Sequence, residues 1–139
     1  IGLLRGRYGC KFVITGNRGE MKLCRAIAEA LGPGVVNLAG KLNLAELGAL
    51  IKRCRLYISN DTAPMHIAAI VGTPLVAIFG PGYFERFDPG NISDKTAVIY
   101  RKAPCAPCGR TECDSMECLR HITPEEVMSA ATKFLEAKI

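Results

Sequence analysis

The chain has 139 residues, of which 49% are hydrophobic and 22% are charged, a balance that is typical of a globular domain and excludes an intrinsically disordered segment. The net charge is +5 at pH 7, but the Lys and Arg residues are scattered, Trp is missing and aromatic residues make up only 6%, so we expect no nucleic acid as a partner. Because the sequence shows neither an initiator Met nor an apolar leader, we expect a cytoplasmic chain that is a piece of a longer protein.

The first predicted elements are a strand, a helix and a second strand. The first strand covers residues 10–15 and ends in a turn rich in Gly and Asn at residues 16–19. A helix is predicted over residues 20–31. Four apolar residues of that helix share one face: Leu23, Ile27, Ala30 and Leu31. A Gly-Pro-Gly sequence ends the helix, and the second strand follows at residues 35–38.

The second predicted helix follows Asn43, a residue type that caps helices well. Its apolar residues recur at helical spacing: Leu44, Leu47, Leu50 and Ile51. A third strand at residues 56–59 then leads into a third helix, which is predicted to be capped by Asp61.

The start of the third helix is a candidate phosphate-binding site. Asp61 is an N-cap type residue, and Thr62 and Ala63 are small enough for a ligand to approach the free backbone N–H groups of the first turn. Pro64 has no N–H group and suits a first turn. His66 lies one turn after Thr62 on the same face, where its side chain could donate to the same anion. The alternative is a capped helix start that binds only water, with His66 as a half-buried packing residue.

The rest of the chain predicts two more strands and a last helix. The strands cover residues 75–79 and 97–100, and the helix begins at Pro124. Residues 80–91 are predicted to form a long irregular loop that leaves a strand end and could cover a ligand. Because short apolar strands alternate with helices, we predict a single α/β domain over residues 1–139, with a doubly wound, Rossmann-like parallel sheet that binds ligands at the carboxyl ends of its strands.

The seven cysteines fall into two groups. Three lie inside apolar segments and are predicted to behave as small core residues: Cys10, Cys24 and Cys54. The other four are clustered in a Cys-rich loop at residues 101–122: Cys105, Cys108, Cys113 and Cys118. Their spacing fits a structural zinc site made of thiolates, a pair of disulfides or free thiols, and the sequence leaves all three open.

Three ordered motifs carry a family resemblance. Residues 59–66, followed by residues 72–81, resemble the signature of glycosyltransferase family 9, the family of the lipopolysaccharide heptosyltransferases. Residues 37–47 resemble the segment usually found upstream of that signature, and residues 122–127 resemble the end of a cysteine-bearing tail common in the family. The resemblance implies the C-terminal, nucleotide-sugar-binding half of a GT-B glycosyltransferase. It also favours a structural role for the clustered cysteines.

The resemblance implies specific roles at the start of the third helix. Thr62 and Ala63 would donate backbone N–H groups to the donor diphosphate, and His66 would add a side-chain contact. Asp61 would hold the turn in shape. Ala63 stands where the family usually has Gly. Gly82 stands where the family's Gly-Pro-Thr/Ser motif has a hydroxyl residue, so we expect that contact to be missing.

Glu20 and Leu42 match two further positions of the family. Glu20 matches a position that binds the ribose, and a carboxylate can accept hydrogen bonds from two ribose hydroxyls. The alternative is a first-turn Glu that is favoured by the helix dipole alone. Leu42 matches a position that packs on the base, and the alternative is an ordinary apolar loop residue. Both alternatives stay open.

The implied activity is inverting transfer of a heptose-like sugar from a nucleotide diphosphate sugar to a lipopolysaccharide-type glycolipid acceptor, with no cofactor required. The family's general base comes from an N-terminal domain that is missing here, so we expect no catalytic residue in this chain and no activity from it alone. That domain would bind the acceptor, with peripheral contact at the inner face of the cytoplasmic membrane. Two alternatives are a nucleotide-sugar epimerase of GT-B architecture and a non-enzymatic metal-binding or partner module built on the four cysteines.

Overall fold

The computed structural model describes residues 1–110 and 112–137. Thr111, inside the predicted Cys-rich loop, and the last two residues of the predicted domain lie outside these ranges. By its internal contacts the chain divides into two compact units, Ile1–Leu47 and Gly48–Ile139. Each unit has a parallel sheet of its own.

The first unit contains a two-stranded sheet, two helices and a 3-10 turn. In chain order its elements are α1 (Gly2–Tyr8), β1 (Phe12–Ile14), the 3-10 turn (Arg18–Glu20), α2 (Met21–Leu31) and β2 (Val35–Asn37). The strands are parallel, with Val13 opposite Val36. Beyond the strands, the N–H of Gly40 donates to the carbonyl of Gly16 at 2.8 Å. The loops that follow β1 and β2 therefore leave the sheet side by side.

Three of the four residues on the apolar face predicted for α2 are exposed to solvent, and only Leu31 is half-buried. Leu23 is 63% exposed and Ile27 is 39% exposed, whereas Cys24 is buried. Periodicity identifies the residues that share a face, but burial depends on what packs against that face. The prediction that Cys24 belongs to the core is confirmed, while Cys10 and Cys54 are only half-buried.

The second unit contains a three-stranded sheet. Helix α3 (Leu44–Lys52) runs across the boundary between the units, and the elements after it are β3 (Tyr57–Asn60), α4 (Ala63–Ile70), β4 (Leu75–Phe79), α5 (Phe84–Phe87), a 3-10 turn (Pro89–Asn91), β5 (Thr96–Tyr100), α6 (Glu117–Arg120) and α7 (Pro124–Leu135). The strand order is β3-β4-β5, and both pairs are parallel. The segments that follow β3 and β4 consequently emerge at the same edge of the sheet.

The core of the second unit is built on β4. Four residues of this central strand are buried: Leu75, Val76, Ala77 and Phe79. A strand buried on both faces is what a covered parallel sheet requires. Met65 of α4 and Ala131 of α7 are also fully buried. Thr73, a polar residue buried in this core, donates its hydroxyl to the carbonyl of Ile51 at 2.9 Å, so its own side chain is paired.

All five predicted strands are present within about two residues of their predicted bounds, and they are hydrogen-bonded as two sheets. Asn43 caps α3 as predicted, because its side chain accepts the N–H of Glu46 at 2.9 Å. The prediction of an irregular loop over residues 80–91 is wrong, since α5 and a 3-10 turn form inside it. Asp88 holds that turn by accepting the N–H of Gly90 at 2.8 Å. Among the described residues, no helix is long and apolar enough to cross a membrane.

Candidate functional site

Helix α4 begins at Ala63, and its N-cap is Thr62 in an extended conformation with φ −148° and ψ 167°. The prediction that Asp61 caps this helix is therefore wrong. The N–H of Asp61 still donates to the carbonyl of Ile78 at 3.1 Å. This hydrogen bond keeps Asp61 in the ladder with β4, so the helix begins only after Thr62. Pro64 lies in the first turn, as predicted.

The N-cap residue Thr62 makes no side-chain capping hydrogen bond to α4. The hydroxyl of Thr62 lies 3.3 Å from the carbonyl oxygen of Asn60 and 3.3 Å from the hydroxyl of Ser59, so it is engaged outside the helix. Within residues 1–110 and 112–137, the backbone N–H groups of Thr62 and Ala63 find no acceptor. The start of α4 therefore offers two unused backbone donors together with the positive end of the helix dipole.

His66 lies one turn into α4, on the face that carries Thr62. Its ring is half-buried and lies edge-on to the ring of Phe87, with 6.2 Å between the centroids. Burial raises the pKa of the neighbouring Asp61 carboxyl, and the His66 imidazole partly offsets that rise. Asp61, Thr62, Ala63 and His66 are thus brought together at one end of α4.

The loop after β4 passes beside Asp61. A Cβ atom on Gly82 would overlap with Oδ2 of Asp61. The carboxylate therefore occupies the space that the hydroxyl residue of the Gly-Pro-Thr/Ser motif would need. Sequence reasoning predicted only that a hydroxyl contact is missing here, and it did not foresee that Asp61 fills the space.

Glu20 lies at the end of the 3-10 turn that precedes α2, in the first unit. Its carboxylate accepts the N–H of Asn17 at 2.7 Å, and the Asn17 side chain accepts the N–H of Glu20 at 3.2 Å. This reciprocal capping box explains a Glu at this position without any ligand. A role toward ribose stays a prediction. So does the role of Leu42, which is half-buried between β2 and α3.

A cavity of about 400 Å³ lies in the first unit, between α2 and the segment that follows β2. Its lining residues are Met21, Arg25, Ala28, Glu29, Asn37, Ala39 and Lys41. Sequence reasoning missed this cavity. The only signal for it was the spacing of Met21, Arg25 and Glu29, which puts the three residues on one helix face. Neither Glu20 nor Leu42 lines it, although each is adjacent in sequence to a residue that does.

The four clustered thiols are free, and no disulfide joins them. In the part of the chain that the structure describes, no group of three His, Cys, Asp or Glu side chains is placed to hold a metal ion. Hydrogen bonds from Ser115 and from the N–H of Met116 lower the pKa of Cys113. Burial raises the pKa of Cys118, and the other three thiols add to the rise. A zinc site at these thiols stays a prediction.

Comparison with known proteins identifies a single family. The sequence profile of glycosyltransferase family 9 (heptosyltransferase) matches residues 6–119. Over 129 residues the chain is 30% identical to lipooligosaccharide heptosyltransferase 2 of Campylobacter jejuni. The matched region spans 89% of this chain and 40% of that protein. The chain is 40% identical over 106 residues to lipopolysaccharide heptosyltransferase 3 of Escherichia coli. This matched region spans 74% of this chain and 30% of that protein.

Two solved structures are similar to the chain. ADP-heptose lipopolysaccharide heptosyltransferase II of E. coli superposes with a TM-score of 0.74 at 29% identity, covering 89% of this chain and 36% of the other. The family 9 glycosyltransferase of Veillonella parvula gives a TM-score of 0.75 at 27% identity, covering 96% and 38%. The chain thus spans at most 40% of the length of these four relatives.

Proposed function

The chain belongs to glycosyltransferase family 9, the heptosyltransferase family, and from that premise we propose that it binds the nucleotide-sugar donor of an inverting glycosyltransferase. The match over residues 6–119 confirms the family that the sequence motifs indicated, and the likeness to two solved relatives confirms the α/β class with parallel strands. Because the chain spans only part of its relatives' length, the activity, substrates and partners of the whole protein are part of the proposal.

The start of α4 carries the proposal. Thr62 and Ala63 present two backbone N–H groups that have no acceptor among the described residues, and the small Ala63 side chain leaves them open to a ligand. The oxygens of a diphosphate are strong acceptors, and the helix dipole favours their negative charge at this end. His66, on the same face, adds a side-chain donor. Together these groups suit the diphosphate of a nucleotide sugar.

The same donors suit the chemistry of sugar transfer. As the bond between the sugar and the diphosphate breaks, negative charge accumulates on the departing nucleoside diphosphate, and fixed donors stabilise that charge. The acceptor hydroxyl also needs a general base. We assign no such base within this chain and place it in the part of the full-length protein that corresponds to the N-terminal domain of the family. The transfer requires no cofactor in this proposal.

The substrates follow from the relatives' names. We infer a heptose-like sugar on a nucleoside diphosphate as donor and a lipopolysaccharide-type glycolipid as acceptor, because the relatives are lipopolysaccharide and lipooligosaccharide heptosyltransferases. The protein would then work in the cytoplasm at the inner face of the membrane, where a glycolipid acceptor is available to a peripheral enzyme. Neither the epimerase nor the non-enzymatic module is favoured by these relatives.

A single substitution tests the α4 donors without disturbing the fold. Ala63→Pro removes one of the two free N–H groups, and Pro is well tolerated at the first position of a helix. The extended N-cap residue before it is also the conformation that precedes Pro most readily. The matched control is Ala63→Ser, which keeps the N–H group. Binding of ADP, UDP and GDP to the chain is measured by calorimetry, and thermal unfolding is followed in parallel.

We expect the parent chain to bind at least one of the three nucleotides, and Ala63→Pro to weaken that binding by about 1.5–3 kcal/mol, the contribution of a hydrogen bond to a charged group. Ala63→Ser should bind like the parent. The unfolding midpoint of Ala63→Pro should not fall. If no nucleotide binds to the parent at millimolar concentration, or if Ala63→Pro binds as well as the parent does, the proposed function is wrong.

A further inference from the structure

Helix α5 places an arginine close to His66. The Phe87 ring lies edge-on to the His66 ring, at an interplanar angle of 64°. The guanidinium carbon of Arg86 lies over the same Phe87 ring, 5.3 Å from its centroid. Arg86 is exposed and has no salt bridge to any carboxylate in the described ranges. A positive charge without a protein counter-ion is thus held one aromatic ring away from the candidate phosphate site.

The position of α5 is set by the core of the second unit. Phe84 lies edge-on to Phe79 with 5.2 Å between the ring centroids, and it stacks on Tyr100 at 5.1 Å. Phe79 is fully buried in β4. Since Phe84 begins this four-residue helix, the two residues at its other end, Arg86 and Phe87, are placed by the packing of the sheet and not by a free loop.

Charge at the site explains why a cation is needed there. The N–H groups at the start of α4 offer only partial positive charge, and Asp61 adds a carboxylate beside them. A nucleoside diphosphate that approaches these groups carries a full negative charge on each phosphate at neutral pH. A guanidinium is suited to balance that charge, because its planar fork can donate two parallel hydrogen bonds to one phosphate.

We propose that Arg86 binds the diphosphate of the nucleotide-sugar donor together with the start of α4, and that Phe87 orients its guanidinium. The inference rests on the proposed function and adds a residue to it. Stacking on Phe87 reduces the freedom of the Arg86 side chain before the donor arrives, so less conformational entropy is lost on binding. When the sugar leaves, the guanidinium stabilises the charge that develops on the diphosphate.

The test compares four variants of the chain for binding of ADP, UDP and GDP by calorimetry. Arg86→Met removes the charge, and Arg86→Lys keeps a charge without the planar fork. Phe87→Leu removes the ring that orients Arg86. Arg53→Met is the matched control, because it removes one positive charge from an exposed position just after α3 in the same unit. Thermal unfolding of each variant reports whether the fold is kept.

We expect Arg86→Met to weaken binding of the best nucleotide about tenfold or more, and Arg86→Lys to give an intermediate loss because it lacks the bidentate geometry. Phe87→Leu should also give an intermediate loss, and Arg53→Met should change binding by less than about twofold, since an exposed charge acts weakly through solvent. Equal losses in Arg86→Met and Arg53→Met would overturn the inference in favour of a general charge effect.

The outcome for Arg86 can be separated from the outcome for the proposed function. If Arg86→Met binds as tightly as the parent while Ala63→Pro binds more weakly, the Arg86 inference is wrong and the proposed function stands. If the parent binds none of the three nucleotides, both are wrong. Arg86→Met could also lose binding together with a lowered unfolding midpoint. If Arg86→Lys then binds normally, the result supports the role of the charge and contradicts the role of the planar guanidinium.

Discussion

Asp61 occupies a position where burial and charge oppose each other. The carboxylate accepts no hydrogen bond from the residues that the structure describes, and burial raises its pKa. The neighbouring His66 partly offsets that rise, and Gly82 leaves the room that the carboxylate fills. A carboxylate so close to a phosphate site would also repel the ligand unless it is screened. What holds Asp61 in the turn between β3 and α4 is the hydrogen bond from its backbone N–H to the carbonyl of Ile78, and not its carboxylate.

We expect Asp61→Asn to increase the free energy of unfolding at pH 7. A carboxyl whose pKa is higher in the folded state than in the unfolded state binds its proton more tightly when folded, so ionisation destabilises the fold. The parent therefore loses stability as the pH rises above the ordinary value of 3.8 and through the raised pKa. Asn carries no charge, so the variant avoids this loss. Urea denaturation of both proteins from pH 3 to pH 7 measures the difference.

The difference in the free energy of unfolding between Asp61→Asn and the parent should shrink toward zero near pH 3. At that pH the Asp61 carboxyl of the parent is protonated in both the folded and the unfolded state. The matched control is Asp94→Asn, an exposed carboxyl in the same unit, which should change stability by less than about 0.5 kcal/mol at any pH. An Asp61→Asn variant that is less stable than the parent at pH 7 would show that the carboxylate makes a stabilising contact in the turn that outweighs its burial.

Helix starts in this chain differ in how far the sequence predicts them. Asn17 forms a capping box with Glu20, and Thr123 forms one with Glu126. Because the two residues of each box are only three positions apart, such pairs can be recognised directly in the sequence. The start of α4 depends instead on a hydrogen bond between Asp61 and the carbonyl of Ile78, a residue of the next strand. No local pattern reports that bond. The cap was therefore predicted one residue too early.

Glu20 has a structural role in its element and a predicted role toward ribose, and Glu20→Gln separates them. Gln also closes a capping box, so the 3-10 turn and α2 should keep their stability. A neutral amide accepts hydrogen bonds from hydroxyls less strongly than a carboxylate does. If Glu20 binds the ribose, we expect affinity for a nucleoside diphosphate to fall by about 1–2 kcal/mol. Calorimetry with ribose and 2′-deoxyribose nucleotides measures the effect.

The deoxyribose nucleotide distinguishes a ribose contact from a general loss of charge. The parent should bind it more weakly than the ribose form, and Glu20→Gln should lose most of that preference, because the hydroxyl that Glu20 is predicted to bind is missing. The control is Glu46→Gln, which makes the same change in the capping box of α3. If the parent does not discriminate between the two sugars, Glu20 has only its capping role.

At the scale of the whole molecule, the sequence predicted the class of the fold better than its surfaces. Apolar runs and turn residues located the five strands, because these depend on local composition, and the alternation of strands with helices predicted that they are parallel. The division into two sheets and the exposure of Leu23 depend on contacts between distant segments. The contact between the Arg86 guanidinium and the Phe87 ring was not predicted either, because it forms inside a segment that was predicted to be an irregular loop.

The Cys-rich loop is joined to the rest of the second unit near the candidate site. The N–H groups of Cys108 and Gly109 both donate to the carbonyl of Pro81, at 3.1 and 2.9 Å. The side chain of Leu119, next to Cys118, lies against Gly80. The loop is thus attached to the segment that follows β4. Its described residues add no strand to the sheet, so the loop contacts the segment after β4 without extending the strand ladder.

Metal removal provides the last test, and it concerns structural zinc, one of the three states that the four-cysteine spacing leaves open. Four thiolates bind zinc at about 2.3 Å each, so binding would draw Cys105, Cys108 and Cys113 in toward Cys118. If the four thiols bind zinc, protein purified under reducing conditions should contain it. EDTA should then increase proteolysis and thiol alkylation in residues 101–122 while the unfolding midpoint of the sheet changes little, because the ligands lie outside the strands. A zinc content below about a tenth of an equivalent would exclude the metal site.

Without zinc, Cys113 should be alkylated first and Cys118 last, since hydrogen bonds lower the pKa of Cys113 while burial raises that of Cys118.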